Sequence, residues 1–377
     1  MNITQSKLGI LGGGQLGKML LQCALDFNVD LKILDPDPNA PCSKIAHEFV
    51  NGSLTDFDTV LAFGQDCDII TIEIENVNTE ALKALQQQGK KVFPEPEVIE
   101  LIQDKRRQKT FYKVNRIPTA EFVLTESLEE VKTQANFLPA VNKMGKGGYD
   151  GRGVQLIRTS EDLEKGFDAP GLLEKLIDFE KELAVIVARS SNGEIKSFPV
   201  VELVFHPEAN LVEYLFAPAS ISDEHAKKAQ ELAHQVIERL NMTGILAVEM
   251  FLTKTGDILV NEVAPRPHNS GHQTIEANHC SQYEQHLRAI FGLPLGDTNE
   301  LAPSSMVNLL GEEGYTGDAV YEGMNEVMAI SGAHIHLYGK KITKPFRKMG
   351  HITIVDENKD SLFEKTNHIK SLLKVKA

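Results

Sequence analysis

Two acids stand in otherwise apolar runs: Glu249 in AVEMF and Glu262 in VNEVAPRPHNSGH, with the turn triplet Thr255-Gly256-Asp257 between them. If the runs pair as a hairpin about that turn, the two carboxylates come near one another. Facing carboxylates in an apolar setting repel, and they are costly to desolvate unless a cation neutralises them. Hard oxygen donors suit Mg²⁺, which keeps phosphate oxygens and water as its other ligands. The competing reading is that one acid points to solvent, which the period-2 alternation of a strand allows for either. The segment that follows, APRPHNSGH, supplies Arg266, His268, Asn269, Ser270 and His272, while Pro265 and Pro267 exclude helix or interior strand. So many donors in an irregular stretch suit an active-site loop. His268 and His272 also have a spacing that zinc could use, but no third ligand lies nearby at the usual spacing.

Three further stretches carry chemistry. NKMGKGGYDGRGV (142–154) holds five glycines, two lysines and Arg152. Such a loop can fold over phosphates, its backbone N–H groups and cations offsetting their charge; the alternative is a surface hairpin. It lacks the GxxxxGK[ST] pattern of a P-loop. LGILGGGQLGKML places Gly12, Gly14 and Gly17 as G-x-G-x-x-G between a strand and a helix, and Asp35 ends the next strand about 20 residues on. Taken alone, that reads as the dinucleotide fingerprint of an NAD-dependent oxidoreductase, as a site for another phosphate ligand, or only as a tight turn. Near the C-terminus, Lys340, Lys341, Lys344, Arg347 and Lys348 fall within nine residues. They form either an anion site or a solvated basic face.

The elements that must position these residues follow from periodicity. Short apolar runs at 7–12, 31–34, 68–73 and 91–93 alternate with helical patterns at 15–27 and 81–88, which implies a parallel sheet with helices on its faces. A long helical stretch is expected over 97–115, stopped before Pro118. Strands are expected at 139–144, 154–157, 171–177, 182–189, 196–204 and 244–252, an α+β pattern. A strand at 351–355 and an amphipathic helix at 361–375 end the chain.

A length of 377 residues suggests two or three domains. The net charge of −14 argues against nucleic acid as a partner. The four cysteines show no paired spacing, no apolar run is long enough for a membrane helix, and the N-terminus has no signal-peptide pattern. A cytoplasmic protein acting on small molecules is the expectation.

Together and in this order, these motifs resemble the ATP-grasp superfamily, and within it the N5-carboxyaminoimidazole ribonucleotide synthetases. The resemblance rests on GGGQLGKML (12–20), EIENV (73–77), QDKRRQK (103–109), GGYDGRG (147–153), EKLIDFEKELAV (174–185), NEVAPRPHNSGH (261–272), YGK (338–340) and FRKMGH (346–351). It implies α/β and α+β architecture: a Rossmann-like N-terminal domain (1–100), an ATP-grasp domain (101–297) and a small β-rich C-terminal domain (298–377). It implies ATP and Mg²⁺ as cofactors, and carboxylation of 5-aminoimidazole ribonucleotide by bicarbonate in purine biosynthesis. A homodimer is implied as well. Carried over by residue, Lys143 contacts the ATP phosphates, and Gly148, Tyr149, Asp150, Gly151, Arg152, Gly153 and Val154 form the mobile loop. Glu174, Lys175, Leu176 and Ile177 form the adenine hinge, and Glu182 holds the ribose. Glu249 and Glu262 bind Mg²⁺ with Asn261 assisting. Gln15, Leu16, Glu73, Tyr149, Asp150, Arg152, His268, Lys340 and Arg347 surround the ribonucleotide, with His268, Asp150 and Arg152 as catalytic candidates. Two departures stand out. The chain reads Gln103-Asp104-Lys105 where the family has QDR, so the cation beside ATP is Lys105 or Arg106. VVELVFHPEANLVEY (200–214) departs from the family's ENxH, leaving Phe205 or His206 on the nucleotide side. A formate-using glycinamide ribonucleotide transformylase is the nearest rival, with an NAD-dependent oxidoreductase and a non-catalytic nucleotide-binding module as rivals of other classes.

Overall fold

The apolar runs of the first hundred residues form parallel strands because both of their faces are covered by helices, as near-continuous hydrophobic runs require. In the computed structural model, which describes residues 3–148, 153–207 and 211–377, five strands lie in the order β3-β2-β1-β4-β5. They are β1 (Lys7–Leu11), β2 (Asp30–Asp35), β3 (Glu48–Asn51), β4 (Ile69–Ile72) and β5 (Lys91–Val92). Leu8, Ile10, Leu31 and Ile33 pack under helix α1 (Gln15–Asp26) and the later helix Gln282–Phe291. Leu11, Leu34, Ile70 and Ile72 pack under helices α2 (Phe57–Gly64) and α3 (Thr79–Gln87). Strand β3 was not expected from the sequence. It is an edge strand with no buried residue, so it carries no apolar signal.

The glycines between β1 and α1 have backbone reasons to be glycine. Gly12 has φ +108°, and a Cβ on Gly17 would lie 2.7 Å from the Gly12 carbonyl oxygen. Helix and strand approach so closely that there is no room for a methyl group. Gly17→Ala is therefore expected to destabilise the protein by about 1–3 kcal/mol, as overpacking does. Urea unfolding checks this, and an unchanged midpoint would mean that the turn yields freely.

The helical stretch expected over 97–115 is two helices, α4 (Pro96–Ile102) and α5 (Lys105–Val114). Asp104 breaks it: its carboxylate accepts from the Arg106 N–H at 3.0 Å and caps the second helix. A small antiparallel sheet follows, in the order β6-β9-β7-β8: β6 (Phe122–Thr125), β7 (Ala140–Met144), β8 (Val154–Ile157) and β9 (Gly171–Lys175).

The largest sheet has nine strands. They include β10 (Phe179–Arg189), β11 (Ile195–Ser197), β12 (Val201–Phe205), β13 (Val212–Ala217), β14 (Gly244–Thr253), β15 (Ile258–Ala264) and β16 (Ser304–Leu310). Strands Lys348–Val355 and Ala333–Leu337 complete it. The run expected at 196–204 is thus two strands, parted at Pro199, which has no N–H to give a ladder. The C-terminal helix spans Lys359–Leu372, and the residues beyond it, Lys374–Lys376, pair with Val320–Glu322 rather than extending the helix. The large sheet continues past residue 297, because β13 pairs with β16.

Period-2 alternation splits the large sheet into two faces. Leu183, Val185, Val187, Leu246, Val248 and Met250 pack under helix Asp223–Leu240 through Ala229, Leu232, Ala233, Val236 and Ile237. Each such buried side chain contributes roughly 1.5–3 kcal/mol. The opposite face, freed from the helix, carries the acids.

Candidate active site

Glu249 on β14 sits directly opposite Glu262 on β15, and Ala184 beside Glu249 places Glu182 on the same face of β10. The ladder slips between Glu249 and Met250, which faces Val260, so Asn261 is the extra residue of a β-bulge. The bulge sets Asn261 and Glu262 side by side at the same cleft. Burial pushes the Glu249 carboxyl up, with the charges of Glu262 and Glu182 adding to it. Lys105 holds Glu262 well below the usual range, its Nζ 2.5 Å from Oε2. Burial raises Glu182 to about 7. Two opposed carboxylates, one of them pushed up mainly by burial, suit a divalent cation.

The facing small sheet supplies the cations. Lys143 Nζ on β7 lies 2.5 Å from Glu174 Oε2 and donates to Asn261 Oδ1 at 3.1 Å. Lys105, at the start of α5, reaches Glu262, whereas Arg106 turns outward to Asp104 at 2.9 Å and Glu126 at 3.4 Å. Of the two cations at the departure from QDR, Lys105 is the one directed at the acid pair. Sequence reasoning missed Lys109, one turn further along α5, whose ammonium is sealed against the second oxygen of Glu174. The signal was present: residues four apart share a helix face, so Lys105 and Lys109 point the same way.

The stretch Glu174–Ile177 links the small sheet to the large one. Its side chains and amides are already engaged: Lys175 Nζ donates to the carbonyls of Phe137 and Leu138, and the Leu176 N–H donates to Pro139. Gly148 and Gly153 flank the glycine-rich loop, Gly153 at φ +72°, and Val154 pairs with Lys143. Tyr149, Asp150, Gly151 and Arg152 lie outside the described residues. Phe205 packs with Leu203 on the apolar patch of the acid-bearing face, while His206 leaves that face and stacks edge-on against Phe346 at 5.4 Å. His206 lies just past the end of β12, where the ladder with β13 is irregular.

The APRPHNSGH loop joins all parts. Arg266 Nε pairs with Glu75 of the N-terminal region at 2.9 Å. His268 Nε2 lies 3.7 Å from Glu249 Oε1. The Ser270 N–H donates to His268 Nδ1 at 3.3 Å, which assigns the ring proton to Nε2. Burial holds the imidazole neutral, down to about 3, with Arg266 and Lys348 acting in the same direction. His272 turns into the core, where Tyr283 Oη meets its Nδ1 at 3.0 Å and the His351 ring lies 4.6 Å away. The zinc alternative therefore fails, since the two histidines do not converge.

The amides of the N-terminal glycine loop meet carboxylates from the neighbouring strands. The Gly14 and Leu16 N–H groups both donate to Glu73 at 3.1 Å, and Gly13 donates to Asp35 at 2.6 Å. In this structure the amides of Gly13, Gly14 and Leu16 are thus engaged by the protein's own carboxylates. Gln15 and Leu16 begin α1 next to this cluster. The C-terminal cations come to the same side: Lys18 Nζ of α1 donates to the Leu337 carbonyl at 2.8 Å, just before the turn at Gly339-Lys340. Lys340 Nζ donates to the Lys348 carbonyl at 2.8 Å, and Arg347 donates to the Ile342 carbonyl at 2.5 Å. Lys348, a member of the same cationic run, acts electrostatically on both Glu249 and His268.

Comparison with known proteins agrees with this geometry. The structure superposes on N5-carboxyaminoimidazole ribonucleotide synthetase from Thermotoga maritima with a TM-score of 0.92 and 44% identity, covering 99% of this chain and 100% of that one. The chain belongs to the N5-carboxyaminoimidazole ribonucleotide synthase family. Family models match residues 5–103 (ribonucleotide synthetase preATP-grasp domain), 110–283 (ATP-grasp domain) and 304–365 (phosphoribosylaminoimidazole carboxylase C-terminal domain). The fold is therefore ATP-grasp with a Rossmann-like domain before it and a family-specific domain after it. A synthase from Aspergillus clavatus, 33% identical with a TM-score of 0.88 over 98% of both chains, was solved with ADP and 5-aminoimidazole ribonucleotide. The chain is also 40% identical to the chloroplastic phosphoribosylaminoimidazole carboxylase of Vigna aconitifolia, over 94% of this chain but only 65% of that protein's length. Membership in this synthase family overturns the NAD-dependent reading. Among the described residues no helix is long and apolar enough to cross a membrane.

Proposed function

We propose that this chain couples ATP hydrolysis to the carboxylation of 5-aminoimidazole ribonucleotide by bicarbonate. The products are N5-carboxyaminoimidazole ribonucleotide, ADP and phosphate, and the route is carboxyphosphate, a step of purine biosynthesis. The observation that carries this reading is the in-register pair Glu249–Glu262, faced across the cleft by Lys143 from the small sheet and Lys105 from α5. Bicarbonate is a poor electrophile, so a phosphoryl group must first make one of its oxygens a leaving group. Glu249 and Glu262 fit Mg²⁺, with Asn261 beside them, and the ion when bound would neutralise charge on the transferring phosphoryl group. Lys143 and Lys105 bring positive charge to the same cleft, which lowers the barrier to transfer. Carboxyphosphate hydrolyses readily, so the reaction needs a cleft from which water is excluded. His268, neutral and with its proton on Nε2, orients the amine or its acceptor by donating a hydrogen bond. The cationic turn Lys340–Lys348 receives the ribonucleotide phosphate, to which its side chains can bring positive charge. The same reading takes the enzyme as a cytoplasmic homodimer.

The test is ADP release with bicarbonate and 5-aminoimidazole ribonucleotide, against glycinamide ribonucleotide with formate. ADP release dependent on the first pair alone is expected. Release driven only by formate and glycinamide ribonucleotide would overturn the assignment in favour of the transformylase. Titration calorimetry with NAD should show no binding.

A further inference from the structure

Among the charged groups of the cleft, one has no role in the chemistry above. Lys109 is 2% exposed, more deeply enclosed than the lysines that face the nucleotide cleft. Its ammonium is held by one oxygen of Glu174, by Thr119 Oγ1 at 2.5 Å and by the ring of Tyr112, 5.7 Å to the centroid. Thr119 in turn donates to the Val260 carbonyl at 2.7 Å, adjoining Asn261 and Glu262. The other Glu174 oxygen holds Lys143, which also reaches Asn261. A single chain of polar contacts thus runs from β15 through Thr119, Lys109, Glu174 and Lys143 back to β15, tying the small sheet to the large one.

We propose that Lys109 is a positioning residue for ATP, holding the Glu174 carboxylate in place so that Lys143 can exchange Glu174 for a phosphate oxygen. The inference rests on the functional reading above. Without nucleotide, Glu174 is the anion on Lys143. When a polyphosphate enters, Lys143 must leave a carboxylate that is only 4% exposed. An unpaired buried carboxylate is strongly unfavourable, so this exchange needs a second cation that stays behind. Lys109 is enclosed on all the sides described, and it cannot reach a ligand in the cleft itself. It remains on Glu174 while Lys143 moves.

Lys109→Met should therefore lock Lys143 onto Glu174. The KM for ATP should rise roughly 10- to 100-fold, the size expected for losing a charge-assisted contact. The kcat at saturating ATP should change much less, and the KM for the ribonucleotide should stay put. Neutralising the carboxylate as well, in Lys109→Met with Glu174→Gln, should bring the ATP KM back toward that of Glu174→Gln alone. A role in packing alone would not give that recovery, because the double variant fills the site no better. Titration calorimetry with a non-hydrolysable ATP analogue should show the same order of affinities. Wild-type binding of ATP with equal affinity in Lys109→Met would overturn the inference and leave the assigned reaction standing; absence of ATP binding in the wild type would overturn both. If Lys109→Met does not fold, Glu174→Gln and the double variant decide, and a large difference between their ATP affinities would refute the role.

Discussion

Glu262→Gln is expected to lower kcat about a thousandfold while leaving the fold intact. Glu262 is the point where three elements meet: it pairs with Glu249 across the β14–β15 ladder, adjoins the bulged Asn261, and receives Lys105 from α5. Glutamine keeps the shape and can still accept from Lys105, but it removes one of the two charges facing the phosphoryl group. Losing that charge costs about 4 kcal/mol in the transition state, which is about three decades in rate. Added Mg²⁺ should recover only a small part, because the loss lies in charge neutralisation during transfer as well as in metal affinity. Without nucleotide, the variant should be somewhat less stable than the wild type, since Lys105 holds Glu262 ionised and a neutral glutamine leaves that lysine without its charge partner. Steady-state kinetics across Mg²⁺ concentrations, with thermal unfolding alongside, decide the matter. Near wild-type turnover would show that Glu262 is no ligand.

Arg347→Ala should raise the KM for 5-aminoimidazole ribonucleotide roughly 10- to 100-fold and move the KM for ATP little. A guanidinium on a phosphate contributes about 1.5–3 kcal/mol, and that range converts to the stated factor. On the proposed reading this cluster receives the phosphate, while Glu73 and Asp35 engage the amides of Gly13, Gly14 and Leu16. In this structure Arg347 donates to the Ile342 carbonyl, a backbone partner it can leave for a phosphate. Arg347→Lys should recover part of the affinity, since lysine keeps the charge but not the planar fork. Lys348→Ala is the informative companion. Lys348 acts on Glu249 and His268, so its loss should lower kcat as well as ribonucleotide affinity. Varying each substrate in turn separates the two effects, and an unchanged ribonucleotide KM in Arg347→Ala would return that residue to a solvated basic face.

The sequence by itself determined which segments fold as strands and helices where apolar period and turn residues agree, as in β1, α1, β14 and β15. It also determined the kind of chemistry, because acid pairs, glycine loops and cationic runs are local features of residue type. Signals of that sort vanish where an element is half exposed, as in β3, and they blur where a side-chain cap cuts a helical pattern, as Asp104 does between α4 and α5. Tertiary structure alone decided who meets whom. The bulge at Asn261 fixes the register that sets Glu249 opposite Glu262, and a one-residue slip would send one of them to the helix-covered face. That Glu73 and Asp35 fill the N-terminal loop depends on β2 and β4 flanking β1, with dozens of residues between them in the chain. The G-x-G-x-x-G spacing is the same whether its amides face a phosphate or a carboxylate of the protein. Only the long-range packing that brings that carboxylate to the helix N-terminus settles which, since hydrogen bonds form to the nearest anion in space, wherever it lies in sequence.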